Sequence, residues 1–376
     1  MRVAYLCVDP GVPVFGSKGA SVHVQEIIRA WRNRGADVGI YCTRTGDDIP
    51  ADLADVPVVV HRLPSGSGAQ REQAQADAAA TLAQRIIDDG ATAVYERYSL
   101  FSDGLARVTE ALDIPGFLEI NAPLIDEQRK HRALHDEQAA YKTLRTQVAA
   151  AARIVCVSEP VAQWVRERVD AGQHPRIHTI PNGVNVERIQ PAIEADGCPV
   201  VVFVGTLKPW HGVETLIEAQ AASTQDWTVR VVGDGPQGAH LRKLAAKLGA
   251  RVHFTGAVPP ESIPAQLAGC ALAAAPYPAT DDAADQYFSP LKIYEYCAAG
   301  LPVVASRVGQ VPQIIDDGVT GLLVEPSNPR ELAEAIDDLS SAPVARAAMS
   351  AAARDMAAGS HSWTGVLTRI TEGITL

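Results

Sequence analysis

Val200-Val201-Val202-Phe203-Val204-Gly205 is the stretch on which the fold turns. An unbroken run of β-formers ending on glycine reads as a strand buried on both faces, as in parallel sheets covered by helices. It opens the second half of the chain in the way Arg2-Val3-Ala4-Tyr5-Leu6-Cys7-Val8 opens the first. Outward from each of these strands runs the same alternation. The first half places strands at 38–42, 58–62, 93–95, 116–120, 154–157 and 177–180, with helical patterns at about 21–34 and 74–89. The second places strands at 228–232, 252–255, 271–275, 302–305 and 322–324, with helices at 213–222, 238–248, 291–299 and 329–339. The segment 190–199 holds two prolines and a glycine without periodicity, and reads as a linker. The expectation is an α/β chain of two doubly wound, Rossmann-like domains, 1–190 and 196–359, facing each other across a cleft. The final stretch, 360–376, is expected to pack back on the first domain. Ligands of such sheets bind beyond the carboxyl ends of the strands, often at helix N-termini, so the loops there are where chemistry is sought.

Composition narrows the partners. With 44 acidic and 33 basic residues, the net charge of -11 disfavours nucleic acid and anionic membranes. No apolar stretch approaches the roughly 20 residues of a membrane span. The six cysteines have no metal-ligand spacing, and Cys7, Cys42 and Cys156 lie in apolar runs that read as core. The chain opens on a strand without a charged-then-apolar leader, so a cytoplasmic protein with reduced thiols is expected. Of 33 basic residues only 7 are lysines, which makes their positions informative.

Three strand-end loops could carry chemistry. Gly11–Ala20 precedes the first helix; it lacks both the Walker order, since Ser17 comes before Lys18, and the dinucleotide glycine spacing. His23 follows on the helix. Gly205-Thr206-Leu207-Lys208-Pro209-Trp210-His211-Gly212 places a scarce lysine beyond the strongest strand. Ser289-Pro290-Leu291-Lys292 opens a helix, with Ser289 as a good N-cap and Pro290 suited to the first turn. Lys292 opposes the dipole there, a conflict that a bound anion would remove. Glu295, one turn on, can take two sugar hydroxyls. Taken singly, each loop reads equally as solvated surface.

Together they resemble a family. Ser289-Pro-Leu-Lys292-Ile-Tyr-Glu295-Tyr-Cys-Ala-Ala-Gly300-Leu-Pro302 is similar to the nucleotide-sugar motif of glycosyltransferase family 4. In the family's order stand also Gly16–His23, Val157-Ser158-Glu159, Ile180–Asn185, Gly205–Gly212, Val232–Pro236, Phe254-Thr255-Gly256 and Ser362-Trp363. The resemblance implies the two-domain GT-B fold and retaining transfer from a nucleoside diphosphate sugar, a UDP-sugar by default, without a metal or other cofactor. It implies a small-molecule or glycan acceptor in the N-terminal domain. By it, Glu295 binds the donor ribose, and Lys208 the diphosphate, with Gly233 nearby. The backbone of Ser289, Pro290 and Leu291 faces the diphosphate or sugar, and Gly16, Ser17 and Lys18 close over the phosphate. His23 and Tyr98 would meet the acceptor. Asn121 stands where relatives often carry a histidine. Glu119, on the same strand face, and Arg97 are expected beside it at the reacting centre, although Glu119 and Arg97 read equally as a buried structural ion pair.

The departures from the family pattern are specific. Tyr287 stands where most members have the first of two glutamates, and Thr206 and His211 replace the loop's usual Arg and Lys. Lys208 and Lys292 are the candidates to compensate at the diphosphate. Asp281-Asp282 is read as a solvated pair rather than a metal site. The stretch Gln128–Arg132 is basic, but acidic residues follow it, so it reads as a mixed solvated helix. The rivals are a nucleotide-sugar 2-epimerase, a two-domain small-molecule binding protein, and a degenerate transferase that binds donor without turnover.

Overall fold

Both runs that anchor the sequence reading are central strands of parallel sheets in the computed structural model, which describes residues 1–280 and 286–376. Asp281-Asp282 lies outside the described residues. In the first sheet are β1 (Arg2–Cys7), β2 (Asp37–Cys42), β3 (Val58–Val60), β4 (Ala93–Arg97), β5 (Gly116–Ile120), β6 (Arg153–Cys156) and β7 (Ile177–Thr179). Their order is β3-β2-β1-β4-β5-β6-β7, each neighbouring pair parallel. In the second are β8 (Val200–Val204), β9 (Thr228–Val232), β10 (Val252–Gly256), β11 (Leu272–Ala275), β12 (Val303–Ser306) and β13 (Gly321–Val324), in the order β10-β9-β8-β11-β12-β13, again parallel. Each sheet reverses its winding beside its opening strand, at β1/β4 and at β8/β11. Such switch points are where open α/β sheets leave a crevice for ligands.

The chain divides into two compact units. Unit 1 is Met1–Asn182, Tyr287–Ser289 and Trp363–Leu376; unit 2 is Gly183–Gln286 and Pro290–Ser362. The crossing thus falls at Asn182–Gly183 and not near 195. The reason is hydrogen bonding that the sequence does not advertise. Val184 N donates to His361 O at 2.8 Å, Ala192 N to Ala299 O at 2.8 Å, and Arg354 to Val186 O and Ile189 O. Glu194 pairs with Arg346. The expected free linker is therefore part of unit 2.

Unit 1 buries stacked Tyr5 and Tyr95 (5.5 Å between centroids), with Trp31 and Phe117 packed against Tyr95. Helix Trp363–Thr371 belongs to this unit, where Arg153 donates to the carbonyls of Arg369 and Glu372. Unit 2 centres on Phe203, Leu216 and Trp227, whose indole donates to Asp337 at 2.7 Å. All six cysteines are free, and five are buried. No helix among the described residues is long and apolar enough to cross a membrane.

Candidate active site

Next to the switch point of unit 1, β4 and β5 run side by side in the register Arg97↔Glu119. The Glu119 side chain is 1% exposed and accepts four hydrogen bonds. His23 Nε2 (2.8 Å) and Tyr95 OH (2.5 Å) reach its Oε2; Arg97 (3.2 Å) and Asn121 Nδ2 (2.5 Å) reach its Oε1. Burial alone would push this carboxyl up. The charge and hydrogen bond of His23, with Arg97 and Tyr95, outweigh it and hold the group at about 2. Glu119 is a buried anion saturated by protein donors, and the ion pair with Arg97 exists. Arg97 and Asn121 are only partly buried at the strand ends.

The residues expected at the acceptor fall elsewhere. His23 is held between Glu119 and the edge of Trp363 (4.8 Å), and Tyr98 lies in the unit 1 core at 3% exposure. Neither is presented to solvent as a contact residue would be. In the loop after β1, Gly16 is buried while Ser17 and Lys18 are exposed. Gln25 fixes this loop by donating to the carbonyls of Val14 and Gly16, both at 3.0 Å.

A second carboxylate on β4, Glu96, is fully buried and accepts from Leu105 N (2.7 Å), Ser102 Oγ and Gln147. No cation lies among these partners, and burial pushes it up to about 7. It serves the start of helix Gly104–Leu112 rather than a reaction.

The motif that begins at Tyr287 is divided between the units. Tyr287–Ser289 sits with unit 1: Ser158 Oγ donates to Tyr287 O (2.5 Å), and the Tyr287 hydroxyl meets Glu127. Asn182 donates through its N to Ser289 Oγ (3.1 Å) and through Nδ2 to Ser289 O (2.9 Å). Ser289 is therefore not the N-cap. Helix Leu291–Ala298 starts from Pro290 with no side chain capping it, because the serine hydroxyl is engaged by Asn182. The exposed N–H groups of a helix start are an anion site in waiting.

On that helix Glu295 is 18% exposed, and its Oε1 accepts from Arg188 at 2.9 Å. Arg188 also donates to Pro260 O, which fixes it. No local pattern marks Arg188, which lies 107 residues away from the carboxylate it orients.

Around the unit 2 switch point the loops interlock through glycine. Gly233 (φ +141°) lies so close to the loop after β8 that a Cβ there would come within 2.0 Å of Gly205 O. A Cβ on Gly205 (φ +152°) would lie 3.0 Å from Lys292 Nζ. Lys292 itself reaches between Phe203 of β8 (4.2 Å to the ring centroid) and Tyr277 beyond β11 (5.3 Å). Its nitrogen is sealed from solvent and has no hydrogen-bond partner among the described residues. Burial pushes it down to about 7, against the pull of Glu295. His211 Nδ1 bonds Thr206 O, and burial, followed by the charge of Lys292, pushes the ring down to about 3. Lys208 lies over the exposed ring of Trp210 at 5.3 Å. Among the described residues no group of three or more His, Cys, Asp or Glu converges as a metal would require.

Two parallel-sheet, Rossmann-like units match the GT-B class of glycosyltransferase folds. Anabaena HepE in complex with UDP-glucose shares the fold, with a TM-score of 0.72 at 20% identity over 99% of this chain and 98% of that one. By the family models, residues 17–188 match a glycosyltransferase family 4 domain and residues 198–342 a glycosyl transferases group 1 domain. A GDP-mannose-dependent monoacylated alpha-(1-6)-phosphatidylinositol monomannoside mannosyltransferase of Corynebacterium glutamicum is 30% identical over 56% of this chain and 60% of its own length. The corresponding figure for a Mycolicibacterium smegmatis mannosyltransferase is 58%, so the chain spans about three-fifths of these curated relatives. A D-inositol 3-phosphate glycosyltransferase of Corynebacterium diphtheriae is 27% identical over 98% of this chain and 93% of its own.

Proposed function

We propose that the chain is a retaining glycosyltransferase that moves a sugar from a nucleoside diphosphate sugar to an acceptor hydroxyl without a metal. The observation that carries this reading is Glu295 on an uncapped helix start, its Oε1 oriented by Arg188 and its second oxygen left for ribose hydroxyls. Unit 2 takes the donor. The start of helix Leu291–Ala298 and the loop Gly205–Gly212 receive the diphosphate, and Gly233 keeps that loop's backbone close. A helix start and a lysine stabilise developing negative charge on a leaving diphosphate.

The transfer proceeds by front-face attack. The acceptor oxygen bonds the anomeric carbon on the side the diphosphate leaves, and a leaving phosphate oxygen takes the acceptor's proton. This route needs no protein nucleophile, which agrees with Glu119 being closed in by four donors. Glu119 then acts as a positioning residue for Arg97 and Asn121, the groups proposed at the reacting centre. Unit 1 takes the acceptor, and inositol and its phosphate are sensible first compounds, given the acceptor named for the Corynebacterium diphtheriae relative.

The test is a thermal-shift screen of UDP, GDP, UDP-glucose and GDP-mannose, followed by NMR of the product's anomeric configuration. Glu295→Gln should abolish the shift. An inverted product would overturn retention, and no shift with any nucleotide would overturn the donor reading. A donor-binding protein without turnover is the second reading. It is favoured by Tyr287, which turns its hydroxyl to Glu127 instead of supplying a carboxylate. Donor hydrolysis by the purified protein would exclude it.

A further inference from the structure

We propose that the charge receiving the donor's diphosphate in this chain sits on Lys292, and that neither Lys208 nor His211 of the loop before it carries that charge. The inference rests on the donor reading above and reassigns to Lys292 the diphosphate contact that the family resemblance gives to Lys208.

His211 is excluded by its own hydrogen bond. Buried beside Lys292 and neutral, the ring donates Nδ1–H to Thr206 O, so Nε2 holds a lone pair. It can neither neutralise an anion nor donate a hydrogen bond to one. Lys208 is set apart by its surroundings: its ammonium lies 5.3 Å from the ring centroid of Trp210, a residue 58% exposed, and is not sealed between aromatic faces. Lys292 has the opposite character. Its ammonium is shut away between Phe203 and Tyr277, against the bare Cα face of Gly205, at the switch point between β8 and β11. A buried ammonium with no acceptor is costly to keep, and aromatic faces compensate only in part. It is also on the first turn of the uncapped helix, where its charge opposes the dipole. One anion at that helix start answers both faults, because it accepts from the ammonium and the backbone N–H groups together.

Among the described residues, the charged and titratable groups facing Lys292 are Glu295 on its own helix, His211 on the loop after β8, and Tyr277 beyond β11. None of them supplies a hydrogen bond to Nζ. Donor binding should therefore draw a proton onto Lys292, and affinity should fall as pH rises above about 7.

The experiment is calorimetric titration of the full chain with UDP-glucose and with GDP-mannose, whose diphosphates do not titrate in this range. Lys292→Met should weaken whichever donor binds by roughly ten- to a hundredfold, and Lys208→Met by less than about threefold. Lys292→Arg should keep binding but lose the pH slope. The double variant Lys292→Met with His211→Lys should regain most of the affinity by returning a charge to the loop, and it reports on charge even if the single variant is poorly folded. Equal losses in Lys208→Met and Lys292→Met, or a Lys292→Met that binds like the parent, would overturn the assignment while leaving the donor reading intact. Failure of the parent chain to bind either donor would overturn both.

Discussion

The regions around the two switch points hold buried charges of opposite kinds. In unit 1 the buried charge is Glu119, and each of its oxygens is met by two donors. In unit 2 it is Lys292, and nothing among the described residues accepts from it. Corresponding regions thus carry a completed network in one unit and an incomplete one in the other. A satisfied buried ion stiffens what surrounds it, whereas an unsatisfied one is held at a standing free-energy cost that a ligand can remove. Glu96 and Glu119 make the point within one sheet. Both are buried and well hydrogen-bonded, yet they move in opposite directions, because only Glu119 has cations among its partners.

The contrast breaks most directly at Glu119. Glu119→Ala leaves His23, Tyr95, Arg97 and Asn121 pointing at a cavity and should destabilise unit 1 by about 3–5 kcal/mol. Its folded-state carboxyl is depressed, so its contribution is present above the ordinary value of 4.5 and is lost as pH falls through about 2. Urea unfolding from pH 7 to pH 2 reads both effects. A loss of under about 1 kcal/mol would mean that the network is not the paired one described here.

At Lys292 the sign should reverse. Lys292→Met removes an ammonium without a partner and should stabilise the ligand-free protein by about 1–3 kcal/mol. The lysine is depressed in the folded state, so its penalty is full below about 7 and fades as pH rises toward the ordinary 10.5. The gain from the substitution should accordingly be larger at pH 6 than at pH 9. A variant that is less stable at both would show that the aromatic contacts of the lysine outweigh its desolvation.

How much of this could be read beforehand follows from the range of the interactions. The strands β1 and β8 were legible because their apolar runs are local, and Glu295 because its motif is contiguous. The crossing at Asn182–Gly183 was not, since bonds such as Val184 N to His361 O join distant parts of the chain. Nor was the orientation of Glu295 by Arg188, nor the neutrality of His211, which depends on burial beside a lysine from another element. The scarcity of lysine did point to positions 208 and 292, but composition could not say which of the two faces inward. The family resemblance points His23 and Tyr98 at the acceptor, whereas the packing of unit 1 absorbs both.

A smaller effect is expected at Arg188. Arg188→Met removes the donor that fixes Glu295 Oε1 and should weaken nucleotide binding by about 1–2 kcal/mol, less than the loss of Glu295 itself. Titration with UDP-glucose or GDP-mannose against Glu295→Gln measures the difference. Equal losses would place Arg188 on the ligand instead of behind the glutamate.

The smallest expected effect separates two accounts of Ser289. If its hydroxyl capped helix Leu291–Ala298, Ser289→Ala would loosen the helix start in unit 2. The hydroxyl instead accepts from Asn182 N, within unit 1. The substitution should therefore cost only about 0.5–1.5 kcal/mol, the worth of one hydrogen bond. Its trace in amide exchange should be faster exchange at Asn182, with the amides of Leu291, Lys292 and Ile293 unchanged. Of these, Leu291 N is proposed to face the diphosphate, while Ile293 N already donates to Pro290 O, so their indifference to Ser289 would mean that the serine hydroxyl is no part of the anion site. Faster exchange at Leu291–Ile293 with Asn182 unaffected would restore Ser289 as a cap.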